Sequence, residues 1–151
     1  MKNLYKNKKI LIVCPYPRNL AAGQRLKYEQ YIESWEKEGC SVTISSFFDD
    51  PAYSVIYKRN YYFHKLFAII RGYVVRLKNL PAISSYDLVY IHMWVTPIGT
   101  SFFERIFFAL SKKTIYDIED FITLKKNTYG SLRELIISKV RSRGKFFFLI
   151  K

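Results

Sequence analysis

The sequence is poor in the residues that organise several common classes of small protein. Its 151 residues include only two cysteines and two histidines, so neither a disulfide framework nor a histidine-based metal site is expected. Both cysteines, Cys14 and Cys40, lie beside apolar runs. This placement favours two reduced, buried thiols in a reducing compartment.

Long apolar runs are also missing. The basic N-terminal segment is followed by only five apolar residues, from Ile10 to Cys14, before Pro15 ends the run. A signal peptide needs an apolar region of about 7–15 residues, and a membrane-spanning helix needs about 18. We therefore expect a soluble or peripheral protein without a signal peptide.

Acidic residues are scarce, whereas apolar and aromatic residues are plentiful. The chain has 25 Lys and Arg against 12 Asp and Glu, a formal net charge of +13. Such a charge favours nucleic acid, an anionic membrane surface or phosphorylated substrates as partners, and by itself does not choose among them. Hydrophobic residues make up 50% of the chain and aromatic residues 18%, which excludes a disordered chain.

Apolar strand-like runs alternate with segments of helical periodicity along the chain. Strands are predicted at residues 8–15, 41–47, 86–92, 114–118 and 146–150. Helices are predicted at about residues 21–38, 55–79, 98–111 and 131–143. This alternation predicts a single Rossmann-like α/β domain over residues 1–151, with a parallel sheet and helices on both faces.

The basic and aromatic stretch 55–79 is predicted to be helical, with a possible break at Gly72. Its apolar arc is expected to pack on the sheet; the arc consists of Phe63, Leu66, Phe67, Ile70, Val74 and Leu77. Lys58, Lys65 and Arg76 fall on the opposite side, where they are expected to meet an anionic membrane surface. An ordinary solvated face and a nucleic-acid surface remain the alternatives.

Ligands of doubly wound sheets bind at the carboxyl ends of the strands, so the loops there are the candidate sites. The first such loop carries Arg18, Gly23 and Arg25 just before and within the start of a helix. Backbone N–H groups and two arginines suit a phosphate or carboxylate. Neither a dinucleotide-binding glycine pattern nor a phosphate-binding P-loop is present, and a plain loop with solvated arginines is the alternative.

Two further loops contain residues with chemical potential. His92 is a candidate general base or substrate-orienting group, and Trp94 is a candidate stacking surface for a sugar ring. Asp117, Glu119 and Asp120 form the densest acidic cluster and are candidates for binding a metal ion or for accepting hydrogen bonds from sugar hydroxyls. Packed aromatic side chains and helix-capping or ion-paired carboxylates are the structural alternatives.

In order and spacing, these segments resemble the N-terminal domain of family 4 glycosyltransferases with the two-Rossmann (GT-B) fold, particularly bacterial surface-polysaccharide enzymes. The resemblance covers roughly residues 8–123. The matching segments are Ile10-Leu11-Ile12-Val13 with Pro15, Gly23-Gln24-Arg25 with Tyr28, Glu38-Gly39-Cys40-Ser41-Val42-Thr43, Tyr86-Asp87-Leu88-Val89-Tyr90-Ile91, Pro97 with Glu104, and Ile115-Tyr116-Asp117-Ile118-Glu119-Asp120. In the last of these, Glu119 replaces the first Asp of the family's acidic pair.

The resemblance implies a domain that binds the acceptor, often a lipid-linked sugar, at the cytoplasmic face of the cell membrane. In such enzymes a second domain binds the sugar nucleotide through two glutamates separated by seven residues, and this chain has no such pair. We therefore expect no cofactor or metal here, little activity from the chain alone, and a truncated enzyme or a partner C-terminal subunit. The alternative is a non-catalytic peripheral-membrane or interaction module; a nucleic-acid binder is less favoured.

Overall fold

The computed structural model describes residues 6–98 and 100–118. Glu119 and Asp120 therefore lie outside the described residues, as do the predicted helix at 131–143 and the predicted strand at 146–150.

Within residues 6–98 and 100–118, the sheet has four parallel strands. They are β1 (Lys9–Cys14), β2 (Ser41–Ser46), β3 (Leu88–His92) and β4 (Thr114–Asp117), in the spatial order β2-β1-β3-β4. Each strand lies within a predicted run, so the predicted α/β fold with a parallel sheet is confirmed.

Helices connect the strands. The first, α1, runs through three consecutive segments, Ala22–Gln24, a π-helical turn at Arg25–Glu29, and Gln30–Lys37. The others are α2 (Asp50–Ile56), α3 (Tyr62–Asn79) followed by a 3₁₀ turn at Leu80–Ser85, and α4 (Phe102–Leu110).

Apolar side chains of the central strand β1 cover both faces of the sheet. Leu11 and Val13 belong to one buried cluster, which also contains Phe107 of α4. Ile10 and Ile12 point to the other face and join the cluster that contains Ile32 of α1. Because successive side chains of a strand alternate between faces, one apolar run supplies two cores.

The stretch predicted as one helix at 55–79 consists of two helices, and the break is not at Gly72. Helix α2 ends at Ile56, and α3 begins at Tyr62 and continues through Gly72. Gly72 lies so close to Phe47 that an added Cβ atom would be 2.3 Å from its ring. The glycine therefore permits close packing of α3 instead of interrupting it.

The predicted orientation of α3 is wrong. Its buried residues are Ala68, Gly72 and Arg76, on the side that was expected to face solvent or lipid. The apolar arc expected to pack on the sheet is exposed, with 87% of Phe63, 56% of Leu66, 69% of Phe67, 53% of Ile70, 43% of Val74 and 52% of Leu77 accessible. Small residues bring the helix axis close to the aromatic residues after β2, and that contact selects the buried side.

Candidate functional site

The strand order places a topological switch point between β1 and β3. From β1 the chain moves to β2 on one side, and from β3 it moves to β4 on the other. In open parallel sheets a crevice forms at this point, outside the carboxyl ends of the two strands. Here the loop after Cys14 and the loop after His92 border that position.

A polar cluster lies at the carboxyl end of the sheet and is centred on Asp117, the last residue of β4. Its Oδ1 atom is 3.1 Å from Lys27 Nζ, and its Oδ2 atom accepts a 2.6 Å hydrogen bond from the Tyr90 hydroxyl. Oδ2 is also 3.4 Å from Nδ1 of His92. The structure thus brings together two predicted site residues, Asp117 and His92, with Lys27 and Tyr90, which the sequence did not single out.

The electrostatics of the cluster favour an ionised Asp117. Burial alone would raise the pKa of this carboxyl, but the hydrogen bonds from Tyr90 and Lys27 and the nearby positive charge of Lys27 lower it below its usual range. The Asp117 side chain is 17% exposed. A charged oxygen acceptor that is partly open to solvent therefore lies at the carboxyl end of β4.

His92 lies behind Asp117 and not on an open surface. Its side chain is 1% exposed, and its ring centroid is 5.6 Å from that of Tyr28. In this arrangement Asp117 is more accessible to solvent than His92. The geometry therefore does not support the predicted direct contact of His92 with a substrate. It supports a role of His92 in orienting Asp117.

The loop after β1 is held by two buried side chains of α1, Gln24 and Glu29. Gln24 Oε1 accepts from the Tyr16 N–H at 3.0 Å, and Gln24 Nε2 donates to the Tyr16 carbonyl at 2.9 Å. Glu29 Oε2 accepts from the Asn19 N–H at 2.9 Å, while its Oε1 accepts from Gln24 Nε2 at 3.2 Å. These bonds fix a loop in which Asn19 has a positive φ of 70°.

The predicted anion-binding residues lie on this fixed loop and the start of α1. Arg18 and Arg25 are exposed, and Gly23 is half-buried. Within residues 6–98 and 100–118, neither arginine takes part in a salt bridge. Two exposed arginines therefore lie on this loop and on the first turn of α1, and guanidinium groups suit a phosphate or carboxylate.

The loop after β3 starts with a strained turn. Met93 has a φ of 64°, which is unusual for a residue with a side chain, and the Trp94 N–H donates to the His92 carbonyl at 2.8 Å. The Met93 N–H donates to the Asp117 carbonyl at 2.9 Å. This turn directs the chain away from the sheet immediately after His92, and strained turns of this kind occur often at functional sites.

Trp94 is half-buried and packs against the aromatic residues that follow β2. Its ring meets those of Phe47 and Phe48 edge-on, with centroids 5.5 Å and 6.3 Å away. The predicted stacking of a sugar on Trp94 would have to use the part of the ring that these contacts leave accessible.

Arg76 is completely buried, so its predicted contact with a membrane is wrong. It donates to three main-chain carbonyls at the sheet's carboxyl edge: Val95 at 2.7 Å, Ser45 at 3.0 Å and Cys14 at 2.9 Å. Burial lowers its pKa to about 10, so the group is still charged at neutral pH. One cation thus ties together the ends of β1 and β2 and the loop after β3.

Sequence reasoning missed Gln24, Lys27, Glu29 and Tyr90. The signal for Gln24 was available, because it precedes the apolar-bodied Tyr28 by four residues, so the two side chains share one face of α1. A polar side chain on such a face must find partners, and a neighbouring loop is the obvious source. The pairing of Lys27 with Asp117 spans 90 residues and has no local signal.

The described residues contain neither a candidate metal site nor a helix that could span a membrane. No group of three or more His, Cys, Asp or Glu side chains within residues 6–98 and 100–118 could hold a metal ion. In the same part of the chain, no helix combines the length and the apolar character that crossing a bilayer requires.

Comparison of the chain with family models, with curated proteins and with solved structures finds no match.

Proposed function

We propose that this chain is the acceptor-binding, N-terminal domain of a sugar-nucleotide-dependent glycosyltransferase of surface-polysaccharide biosynthesis. The observation that carries the proposal is the polar cluster around Asp117, placed at the switch-point edge of a parallel sheet. The ordered resemblance of residues 8–123 to family 4 enzymes supports the same conclusion.

The site offers the contacts that a phosphorylated saccharide needs. Asp117 accepts from a sugar hydroxyl, while Arg18 and Arg25 bind a phosphate or pyrophosphate group beside the fixed loop. Because Lys27 and Tyr90 already hold Asp117, little side-chain freedom is lost when the sugar binds. In this proposal His92 is a positioning residue behind the carboxylate.

Transfer itself depends on a second domain or subunit in this proposal. The chain contains no pair of glutamates separated by seven residues, which in the resembled family hold the sugar nucleotide. The acceptor is lipid-linked or a free saccharide, and the domain works at the cytoplasmic face of a membrane. Sugar transfer from a nucleotide donor by the purified chain alone would contradict this dependence.

Acceptor binding is tested by NMR titration of the ¹⁵N-labelled chain with sugar 1-phosphates and with oligosaccharides that carry no lipid. We expect amide shift changes in residues 15–25 and 92–96. Arg25→Ala should weaken binding of a sugar phosphate by about tenfold, since a charge-assisted hydrogen bond contributes about 1.5–3 kcal/mol.

Arg59→Ala is the matched control, because Arg59 is also exposed but lies just before α3, whereas Arg25 lies within α1. Equal loss of affinity in both variants would show that the effect of Arg25→Ala comes from the change in net charge alone. An absence of binding to every member of the panel would contradict acceptor binding.

A second candidate function is a non-catalytic peripheral-membrane module on the same scaffold. The exposed apolar arc of α3 favours it. This candidate predicts membrane association without any saccharide binding, so the titration above distinguishes the two.

A further inference from the structure

The exposed side of α3 carries a continuous apolar stripe. It consists of the six residues of the arc, Phe63, Leu66, Phe67, Ile70, Val74 and Leu77, each at least 43% exposed. Their spacing of three and four residues aligns them along one side of a helix of 18 residues. Large apolar side chains grouped in this way mark an interaction surface, unlike scattered exposed apolar residues.

The opposite side of the same helix is fully occupied. Ala68 packs with Phe47, Phe48 and Ala52, and Arg76 bonds the carbonyls at the sheet edge. The helix therefore cannot rotate to bury its stripe without giving up these contacts. The stripe is a fixed feature of the folded domain.

The charges beside the stripe are mainly positive, with Asp49 as an acidic partner 3.2 Å from Arg71. Between Asp50 and Asp87 the sequence contains no Asp or Glu. The exposed cations of this segment are Lys58, Arg59, Arg71 and Lys78. Arg71 and Lys78 follow Phe67 and Val74 by one helical turn, which places them beside the stripe.

We infer that α3 lies in the interface of an anionic lipid bilayer, with the stripe in the acyl region and the bordering cations at the lipid phosphates. An apolar face bordered by Lys and Arg is the pattern of an interfacial helix. A second copy of this chain fits less well, because it would bring two surfaces of like charge together.

The geometry also relates the bilayer to the candidate site. The buried side of α3 contacts the carboxyl edge of the sheet through Arg76, and Tyr73 donates to the carbonyl of Ile98 in the loop after β3. A bilayer under α3 is therefore near the edge where the crevice lies. The inference rests on the membrane contact that both candidate functions share, and not on sugar transfer.

The test is flotation of the full chain with vesicles that contain no saccharide, so its failure is separate from failure of the acceptor titration. We expect binding to vesicles of equal parts phosphatidylcholine and phosphatidylglycerol, and much weaker binding to phosphatidylcholine alone. The double variant Phe63→Ser with Phe67→Ser should bind anionic vesicles at least about tenfold more weakly, because two large apolar side chains no longer insert.

The matched control is Leu26→Ser with Ile115→Ser, which removes two apolar side chains that are 73% and 49% exposed on other elements. It should bind like the original chain. A second double variant, Arg59→Glu with Lys78→Glu, should remove the preference for phosphatidylglycerol. Circular dichroism of each variant checks that the fold is intact.

Three results would overturn the inference. The first is vesicle binding that is unchanged in the Phe63 and Phe67 double variant, or lost equally in its control. The second is a lipid-free dimer in sedimentation velocity that this double variant dissolves. The third is salt-sensitive binding to RNA that is as strong as vesicle binding and insensitive to loss of the two phenylalanines.

Discussion

At the scale of single residues, Arg76 shows that a buried charged side chain can hold several segments of the fold together. Its guanidinium donates to carbonyls that lie after three different strands or at their ends, and its carbon Cζ lies 5.5 Å from the centroid of the Phe47 ring. These partners satisfy the donors of a group that burial would otherwise make very costly.

Replacement of Arg76 by Met should destabilise the protein by about 3 kcal/mol or more, because three buried carbonyls each lose a hydrogen bond from the guanidinium. Equilibrium urea unfolding followed by circular dichroism measures this change. Lys78→Met, on the exposed side of the same helix, is the control and should change the free energy of unfolding by less than about 0.5 kcal/mol. Similar small effects of both substitutions would contradict the role of Arg76.

Asp117 should make stability depend on pH in the acid range. Because its pKa is lower in the folded protein, its contribution is fully present above the unfolded value of about 3.9 and is lost as the pH falls through the folded value. Asp117→Asn should therefore flatten the fall in the free energy of unfolding over that range. Urea unfolding at a series of pH values measures it.

Lys27→Ala is the companion variant for this prediction. Without the Lys27 ammonium, the pKa of Asp117 in the folded protein should rise toward its ordinary value. The fall in the free energy of unfolding at acid pH should then be flattened, but less than in Asp117→Asn. In the double variant, loss of Lys27 should add little beyond loss of Asp117, because the two groups act through one ion pair. Fully additive effects would show that Lys27 and Asp117 are not coupled.

At the scale of elements, α3 shows what periodicity can and cannot predict. The spacing of its apolar residues correctly indicates a helix with one apolar side. It does not indicate what that side faces, because burial was decided by the close approach of Ala68 and Gly72 to the residues after β2. A small-residue side opposite a large apolar side is the sequence signal for this inversion.

The packing of α3 predicts that Gly72→Ala destabilises the fold. At an ordinary helix position, alanine makes the helix more stable than glycine does by about 1 kcal/mol. Here, however, the Cβ atom of the alanine would be 2.3 Å from an atom of the Phe47 ring. Overpacking of this kind costs about 1–3 kcal/mol, so we expect a net loss in urea unfolding.

Val74→Ala is the control for this position, since Val74 is 43% exposed on the other side of the helix. It should change stability by less than about 0.5 kcal/mol. A stabilised Gly72→Ala variant would contradict the close contact between α3 and Phe47.

At the scale of the whole molecule, the sheet was predictable and the site only partly so. Continuous apolar runs such as Ile10–Cys14 indicate buried parallel strands, and the parallel arrangement then locates the candidate loops. The sequence does not indicate that Lys27, Tyr90 and His92 meet at Asp117, because their contacts join residues far apart in the chain. The predicted orientation of α3 was wrong for the same reason.

We propose that the carboxyl end of the sheet, at the switch point between β1 and β3, binds a phosphorylated saccharide. The most direct measurement is photolabelling of the full chain with a diazirine-bearing sugar phosphate, followed by mass-spectrometric mapping of the labelled residues. We expect label within residues 15–25 and 92–98 and at Asp117, with competition by the unmodified sugar phosphate. Label concentrated at the opposite edge of the sheet, in residues 38–41 and 86–87, would contradict it.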